Sequence, residues 1–257
     1  MNTHDWIIPD WPAPSWVKAV TTTRAGGVSV GAYASMNLAA HVADDPAAVV
    51  ENRRRLREAL NLPAEPAWLT QVHGRGIVAA EGALSDAEGA GGGAGGVEGD
   101  AALSRTPGQV CVVMTADCLP VLLCDRAGTC VAAAHAGWRG LADGVIEVAV
   151  AALDLPGNSL LAWLGPAIGP LAFEVGDEVR AAFVAHNPAA AEAFTLKGAR
   201  WHADLYRLAH QRLAALGITE IYGGGLCTYA DAERFYSYRR DGATGRMATL
   251  IWITADR

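Results

Sequence analysis

The chain has 257 residues, of which 51% are hydrophobic, and its formal net charge is −7 at pH 7. This length suits one domain or two small ones, with enough apolar residues for a core that needs no disulfides. The negative charge gives no general attraction to polyanions, so we expect no nucleic-acid partner. No apolar run is long enough for a transmembrane helix and the first residues lack the pattern of a signal peptide, so we expect no membrane partner.

Cysteine usage indicates the compartment. The five cysteines are an odd number and lie in strand-like segments, unlike the cysteine framework of a small secreted domain. Free thiols are typical of a reducing compartment, so the sequence predicts a cytoplasmic protein. It does not indicate an oligomeric state.

The first hundred residues are predicted to contain one well-defined helix and one flexible loop. The helix begins at Pro46, which follows two aspartates and suits the first helical position, and it runs to about Leu60. Asn61 and Pro63 then end it. Residues 85–99 are dominated by glycine, and because ordering many glycines costs conformational entropy, we expect a flexible surface loop there.

From Val110 onward the apolar content rises, with the near-continuous runs VCVVMT, LPVLLC and TCVAAAH. Such runs are typical of strands covered on both faces of a sheet. Strands and helices are mixed without strict alternation, which predicts an α+β fold with mixed sheets in a single domain, 1–257. The other predicted elements are strands over 16–23 and 247–254, short β segments over 68–73 and 76–80, and helices over 141–153, 176–185 and 203–216.

The last two apolar runs predict a β-hairpin that brings two metal-ligand side chains together. If Arg126 and Ala127 are the central turn residues, Cys118 lies opposite His135, within the one-residue shift that a bulge would introduce. Directly opposed residues have Cβ atoms about 4.5–5.5 Å apart, which lets a thiolate and an imidazole share one ion. Catalytic zinc typically has three protein ligands, and His73 is the candidate for the third because it ends an apolar segment before a glycine.

Each of these residues also has a simpler interpretation. A cysteine after a strand is usually a small core residue, and a histidine beside glycine is usually a hydrogen-bonded turn residue. The chain has no CxxC pair that would strengthen the metal hypothesis. The spacing alone therefore leaves the three-ligand site open.

Longer motifs around the same residues resemble a known family. The chain is similar to the laccase-domain or polyphenol-oxidase family in QVHG, TADCLPVLLCDRAGT, VAAAHAGWRGL and RFYSYRRDGATGRMATLIWI. The resemblance runs from about Trp16 to the C-terminus and implies packed mixed β-sheets flanked by helices. Members of the family are now regarded as purine nucleoside phosphorylases with adenosine deaminase and methylthioadenosine phosphorylase activities. The implied cofactor is a zinc ion bound by His73, Cys118 and His135.

Arginines are the candidates for binding an anion. Arg53 falls on the same helical stripe as Val49 and Leu56, so it either covers the edge of the core or faces an anion. The family's Asn-Arg motif, present here at Arg53 and the residue before it, favours the anion. Arg239 and Arg240 are a second candidate pair, with ordinary surface charge as the alternative.

Two segments next to the ligands have less specific patterns. Asp117 could orient a ligand histidine as a supporting carboxylate, or it could cap a turn. Trp138 and Arg139 could stack on a base, although a tryptophan is more often simply packed.

These observations support four hypotheses about function. In the first, phosphate attacks C1′ of a purine nucleoside and the base leaves, with Cys118, His135 and Arg53 as catalytic residues and adenosine deamination as a side activity. The second is a Cys–His hydrolase with Cys118 as nucleophile and His135 as base. The third is a copper oxidase, which is less expected because the chain lacks His-x-His pairs. The fourth is a non-enzymatic metal-binding factor for cell-wall or partner interaction.

Overall fold

The computed structural model describes residues 5–83 and 96–255. Strands β1 to β12 cover, in chain order, Val17–Thr21, Ile77–Ala79, Ala101–Ser104, Val110–Thr115, Leu119–Asp125, Val131–Ala136, Leu160–Leu164, Glu174–Val175, Phe194–Lys197, Arg200–Ala203, Ile221–Gly223 and Met247–Ile253. Helices α1 to α7 cover Pro46–Leu60, Ala80–Ala83, Trp138–Asp143, Val145–Leu153, Asp177–His186, Leu205–Ala215 and Tyr238–Asp241. Within the described ranges, no helix is both long enough and apolar enough to cross a lipid bilayer.

The strands form mixed sheets. The largest has six strands in the order β11-β7-β5-β6-β3-β2, and two three-stranded sheets have the orders β1-β12-β4 and β8-β10-β9. β2 runs parallel to β3 and β11 runs parallel to β7, while the other pairs are antiparallel. The predicted α+β class with mixed sheets and several helices is confirmed.

β5 and β6 are buried at every position because both faces of the six-stranded sheet are covered. Val121 and Leu123 of β5 face a core cluster that includes residues of α4 and α6. Leu122 and Cys124 face a second cluster, which includes Ile251 of β12. Successive side chains of a strand point to opposite faces, so a strand covered on both sides is apolar throughout. This explains the unbroken apolar runs in the middle of the sequence.

α1 begins and ends where the sequence predicts. The carboxylate of Asp45 accepts a hydrogen bond from the Ala47 N–H at 2.9 Å, and Pro46 occupies the first turn. Asn61 has a φ of 47°, the left-handed conformation that commonly ends helices.

Two predictions about secondary structure are wrong in part. The helix predicted over 141–153 is interrupted by Gly144, whose φ of 94° separates α3 from α4. The segment predicted as a β strand over 68–73 makes a single bridge, between Thr70 and Glu98. The reason is that a side chain, the Asp100 carboxylate, accepts the hydrogen bonds of residues 72–74 in place of a neighbouring strand.

The flexible loop predicted over 85–99 is described only in its last four residues, and 85–95 lie outside the described residues. The Thr70 N–H donates to the Val97 carbonyl at 3.1 Å, and the Gly99 N–H donates to the Thr70 carbonyl at 3.2 Å. The end of this segment is therefore paired with the chain that precedes His73.

Candidate metal centre and its cavity

The three predicted ligands lie together. The ligand atoms of His73, Cys118 and His135 are all within 4.8 Å of one another. The two imidazole rings meet edge to face, with their centroids 4.8 Å apart. Two imidazoles and a thiolate suit a catalytic zinc ion with one open position, and the same donor set also suits a single copper ion. The residues therefore fit the ion that the resemblance implies.

The hairpin of β5 and β6 brings Cys118 and His135 together through a register that differs from the predicted one. His135 pairs with Pro120, so the predicted pairing is wrong by two positions. The turn contains four residues instead of two, because the Asp125 carboxylate accepts hydrogen bonds from the N–H groups of Thr129 and Cys130. A shift by two positions keeps side chains on the same face of a sheet. Cys118 therefore lies diagonally from His135 and still reaches it.

Asp100 forms hydrogen bonds with two of the three ligand residues. This carboxylate is fully buried, and its Oδ1 accepts a hydrogen bond from His135 Nδ1 at 2.8 Å and from the His73 N–H at 2.9 Å. Its Oδ2 accepts from the Gly74 N–H at 2.7 Å. His73 has a φ of 61°, a conformation that costs a non-glycine residue about 1–2 kcal/mol. Asp100 therefore stabilises the strained turn at His73 and leaves Nε2 of His135 for the metal.

Asp100 was not among the candidate site residues, and Asp117, for which support of a ligand and a turn cap were both open, does not hydrogen-bond to a ligand. Asp117 accepts hydrogen bonds from the Thr228 hydroxyl at 2.6 Å and from the Arg239 N–H at 2.7 Å, so it fixes two distant loops and contacts neither ligand histidine. No sequence pattern marks Asp100, because its hydrogen-bond partners lie 26 to 35 positions away in the chain.

The cluster favours negative charge on sulfur. Burial disfavours the thiolate of Cys118, but the charge of His135 and hydrogen bonds from both histidines outweigh this effect and lower the pKa of the Cys118 thiol. Burial likewise opposes protonation of His135, but Cys118 and Asp100 outweigh it and raise the pKa of His135. A thiolate is the form of cysteine that binds a metal ion, so the cluster favours a cation between these groups.

Gly137 leaves the space that the ligands need. A Cβ added there would lie 2.9 Å from Cys118 Sγ and 3.2 Å from His73 Cδ2. We therefore expect Gly137→Ala to displace two ligands and to weaken zinc binding about tenfold, measured by competition with a chromogenic chelator. The matched control is Gly76→Ala, whose added Cβ meets its nearest atom at 3.5 Å. Equal zinc affinity in the two variants would show that the cluster tolerates the displacement.

The cluster opens into a cavity of about 510 Å³, a size typical of small-molecule sites. A second cavity, of about 760 Å³, lies beyond residues 169–172 and includes none of the three ligands in its wall. The metal cavity combines apolar surface with positive charge. Its wall includes Met114, Ala116, Trp138, Ile168, Phe173 and Tyr238, together with His41, Arg139, Arg239 and Arg246.

Of the three arginines predicted to bind an anion, one lines this cavity and two do not. Arg239 lines it, whereas Arg240 donates to the carbonyl oxygens of Thr228 and Phe235 and lies outside the wall. Arg53 also lies outside the wall, where its Nε donates to the Leu38 carbonyl at 3.0 Å.

His41 lines the cavity and lies near the positive charges of Arg246 and Arg53. Burial is the largest cause that lowers the pKa of this histidine, followed by the charges of Arg246 and Arg53. Arg53 therefore lies close enough to His41 for its charge to be felt there, while its guanidinium stacks on Trp68 at 4.0 Å from the ring centroid.

Comparisons with known proteins show the family of the chain. The family described as "Multi-copper polyphenol oxidoreductase laccase" matches residues 18–254. Purine nucleoside phosphorylase PA4543 of Pseudomonas aeruginosa is 55% identical over 250 residues, which cover 96% of this chain and 98% of that protein. Purine nucleoside phosphorylase YfiH of Escherichia coli is 54% identical over 247 residues, with coverages of 96% and 98%.

Solved structures have the same fold. The crystal structure of Neisseria meningitidis protein NMB0706 superposes with a TM-score of 0.91 at 49% identity, covering 98% of this chain and 100% of that one. YlmD from Geobacillus stearothermophilus gives a TM-score of 0.90 at 29% identity, covering 99% and 98%.

Proposed function

The chain belongs to the multi-copper polyphenol oxidoreductase laccase family, and we propose that it is a zinc-dependent purine nucleoside phosphorylase of the cytoplasm. The proposal rests on one observation: the His–Cys–His cluster opens into a cavity whose wall carries both aromatic side chains and three arginines, each of which lies over an aromatic ring of that wall. Phosphorolysis needs a flat apolar seat for a purine and a cationic seat for phosphate, side by side. The names of the relatives and the five free cysteines support the proposal.

The roles of the side chains follow from the reaction. Phosphate attacks C1′ of the ribose, the glycosidic bond breaks, and the purine leaves with the bonding electron pair and gains a proton. Trp138 and Phe173 offer aromatic surface for the base. The positive charge of the wall attracts phosphate and stabilises the charge that develops during attack. In this proposal Arg53 contributes positive charge near His41, from outside the cavity wall.

His73, Cys118 and His135 would hold the zinc ion. Bound there, zinc would supply Lewis-acid chemistry to a group that enters its open position. The chain's own contribution is to fix His73 and His135 through Asp100 and to keep His135, on β6, buried away from bulk water. The same site would support deamination of adenosine when water takes the place of phosphate.

The copper oxidase named by the family description is a weaker alternative. A multi-copper enzyme needs several clusters of metal-binding side chains. Among residues 5–83 and 96–255, the group formed by His73, Cys118 and His135 is the one cluster of three or more His, Cys, Asp or Glu side chains that could hold an ion. One such group is too few for several copper ions.

The proposal predicts a phosphate-dependent product. With adenosine as substrate, we expect the zinc-loaded protein to release adenine in proportion to added phosphate, while inosine forms with or without phosphate. Chromatography of the products measures both. Methylthioadenosine and inosine, tested in the same way, give the order of preference. If adenine release in the wild type does not depend on phosphate, the phosphorylase assignment is wrong, and a hydrolase that uses Cys118 becomes the better hypothesis.

A further inference from the structure

The three arginines of the cavity wall differ in what their guanidinium groups contact. Arg139 is exposed and stacks on Trp138, with 4.4 Å between its Cζ and the ring. Arg239 is exposed and donates from Nη1 to the Glu174 carbonyl at 2.8 Å. Arg246 is half-buried, which makes it the arginine of this wall whose charge is best shielded from water.

Arg246 presents a free hydrogen-bonding edge. Its Nη1 donates to the carbonyl oxygens of Thr244 at 2.9 Å and Gly245 at 3.0 Å. Within the described parts of the chain, neither its Nε nor its Nη2 has an acceptor, and the guanidinium forms no salt bridge. These two nitrogens form the side of the guanidinium that binds a carboxylate or phosphate with two parallel hydrogen bonds.

The backbone of Arg246 is held firmly. Its N–H donates to the side-chain oxygen of Asn37 at 3.0 Å, and the next residue, Met247, pairs with Thr115 in the β12–β4 ladder. Asn37 is itself fully buried and bonded to Asp44. Because the Nη1 bonds to the Thr244 and Gly245 carbonyls also hold the guanidinium, this side chain loses little conformational freedom when it binds an anion.

The negatively charged groups near Arg246 do not accept hydrogen bonds from its Nε or Nη2. The Asp117 carboxylate accepts hydrogen bonds from the Thr228 hydroxyl and the Arg239 N–H, and among the described residues it accepts none from Arg246. The Cys118 sulfur is a predicted metal ligand. Thr115, in the same wall, is 2% exposed, and its hydroxyl has no hydrogen-bond partner among the described residues. A shielded cation and a buried hydroxyl, both with free hydrogen-bonding capacity, make this part of the wall suited to a small anion.

We propose that Arg246 binds the phosphate dianion in the metal cavity through its Nε and Nη2 groups. This inference rests on the proposed function, since it names the residue that holds the co-substrate. Arg53 is less suited to direct contact because its Nε is bonded to Leu38 and its guanidinium lies on Trp68, outside the cavity wall. The two arginines therefore have different roles: Arg246 contacts phosphate, and Arg53 adds positive charge from outside the cavity wall.

The test compares Arg246→Lys with Arg126→Lys, a control in the β5–β6 turn, where Arg126 pairs with Glu220. Lysine keeps the charge but cannot form the two parallel bonds. We expect Arg246→Lys to raise the phosphate KM at least about tenfold and the adenosine KM less than about threefold, with no change in the control. Zinc content and melting temperature establish that each variant is folded and loaded, and Arg246→Gln serves if the lysine variant is not.

A direct measurement keeps this inference separate from the proposed function. Isothermal titration of the zinc-loaded protein with inorganic phosphate should show at least about tenfold weaker binding in Arg246→Lys than in the wild type. Equal binding in the two proteins, or no phosphate binding by the wild type, would overturn the role of Arg246. Loss of phosphate binding in the variant, together with a wild type that releases no adenine, would support the anion site and reject only the phosphorylase.

Discussion

Cys118→Ala and His135→Ala are expected to lose zinc and phosphorolysis together. Three protein ligands leave no redundancy, so removal of one should reduce zinc affinity by more than the roughly 10- to 100-fold that follows loss of a supporting residue. The effect should be large because Cys118 supplies the one anionic donor of the cluster. Elemental analysis after dialysis against a chelator, followed by the adenosine assay, measures both properties.

Cys227→Ser is the matched control for the cysteine variant. Cys227 is half-buried like Cys118, but its sulfur accepts a hydrogen bond from the Gly169 N–H at 3.2 Å and lies outside the metal cavity. This variant should keep its zinc. If Cys118→Ala instead keeps full zinc and loses only activity, Cys118 is a nucleophile and the Cys–His hydrolase hypothesis is favoured.

Asp100→Ala is expected to produce the second-largest effect. The substitution leaves the N–H groups of residues 72–74 and the buried Nδ1 of His135 without their acceptor. Unsatisfied buried groups each cost about 1–3 kcal/mol, so the melting temperature should fall by several degrees. Zinc affinity should fall about 10- to 100-fold, because the turn at His73 and the ring of His135 lose their common support.

Asp100→Asn refines this test. An amide has one oxygen for the four donors, two of which would face its NH₂ group, so we expect this variant to lose most of the zinc affinity too. Asp154→Asn is the control, since Asp154 is exposed and has a φ of 48°, which asparagine adopts readily. If Asp100→Asn binds zinc like the wild type, Asp100 does not position the ligands.

The sequence predicted the elements whose signals are local. The Asp45–Pro46 start and the Asn61 end of α1 are fixed by capping chemistry within a few residues, and both are found in the structure. The apolar runs of β5 and β6 reflect burial on both faces of one sheet. The register of their hairpin was wrong, because the four-residue turn depends on hydrogen bonds to the Asp125 side chain that no apolar pattern reveals.

The sequence singled out the three ligands and, among the residues of the cavity wall, Trp138, Arg139 and Arg239. His73, Cys118 and His135 stand in motifs long enough to be matched, and the structure brings them together. Asp100 and Arg246 act through contacts with residues 27 and 209 positions away in the chain, and such contacts leave no periodicity in a single sequence. Their roles depend on the tertiary fold.

The most direct test of the account is a zinc titration of the metal-free protein, followed by measurement of adenine release from adenosine at saturating phosphate. We predict that activity rises in proportion to added zinc, reaches a plateau at about one zinc per chain, and requires phosphate throughout. Adenine release that is complete without zinc, or that does not change when phosphate is omitted, would contradict the assignment of this cluster as the metal centre of a phosphorylase.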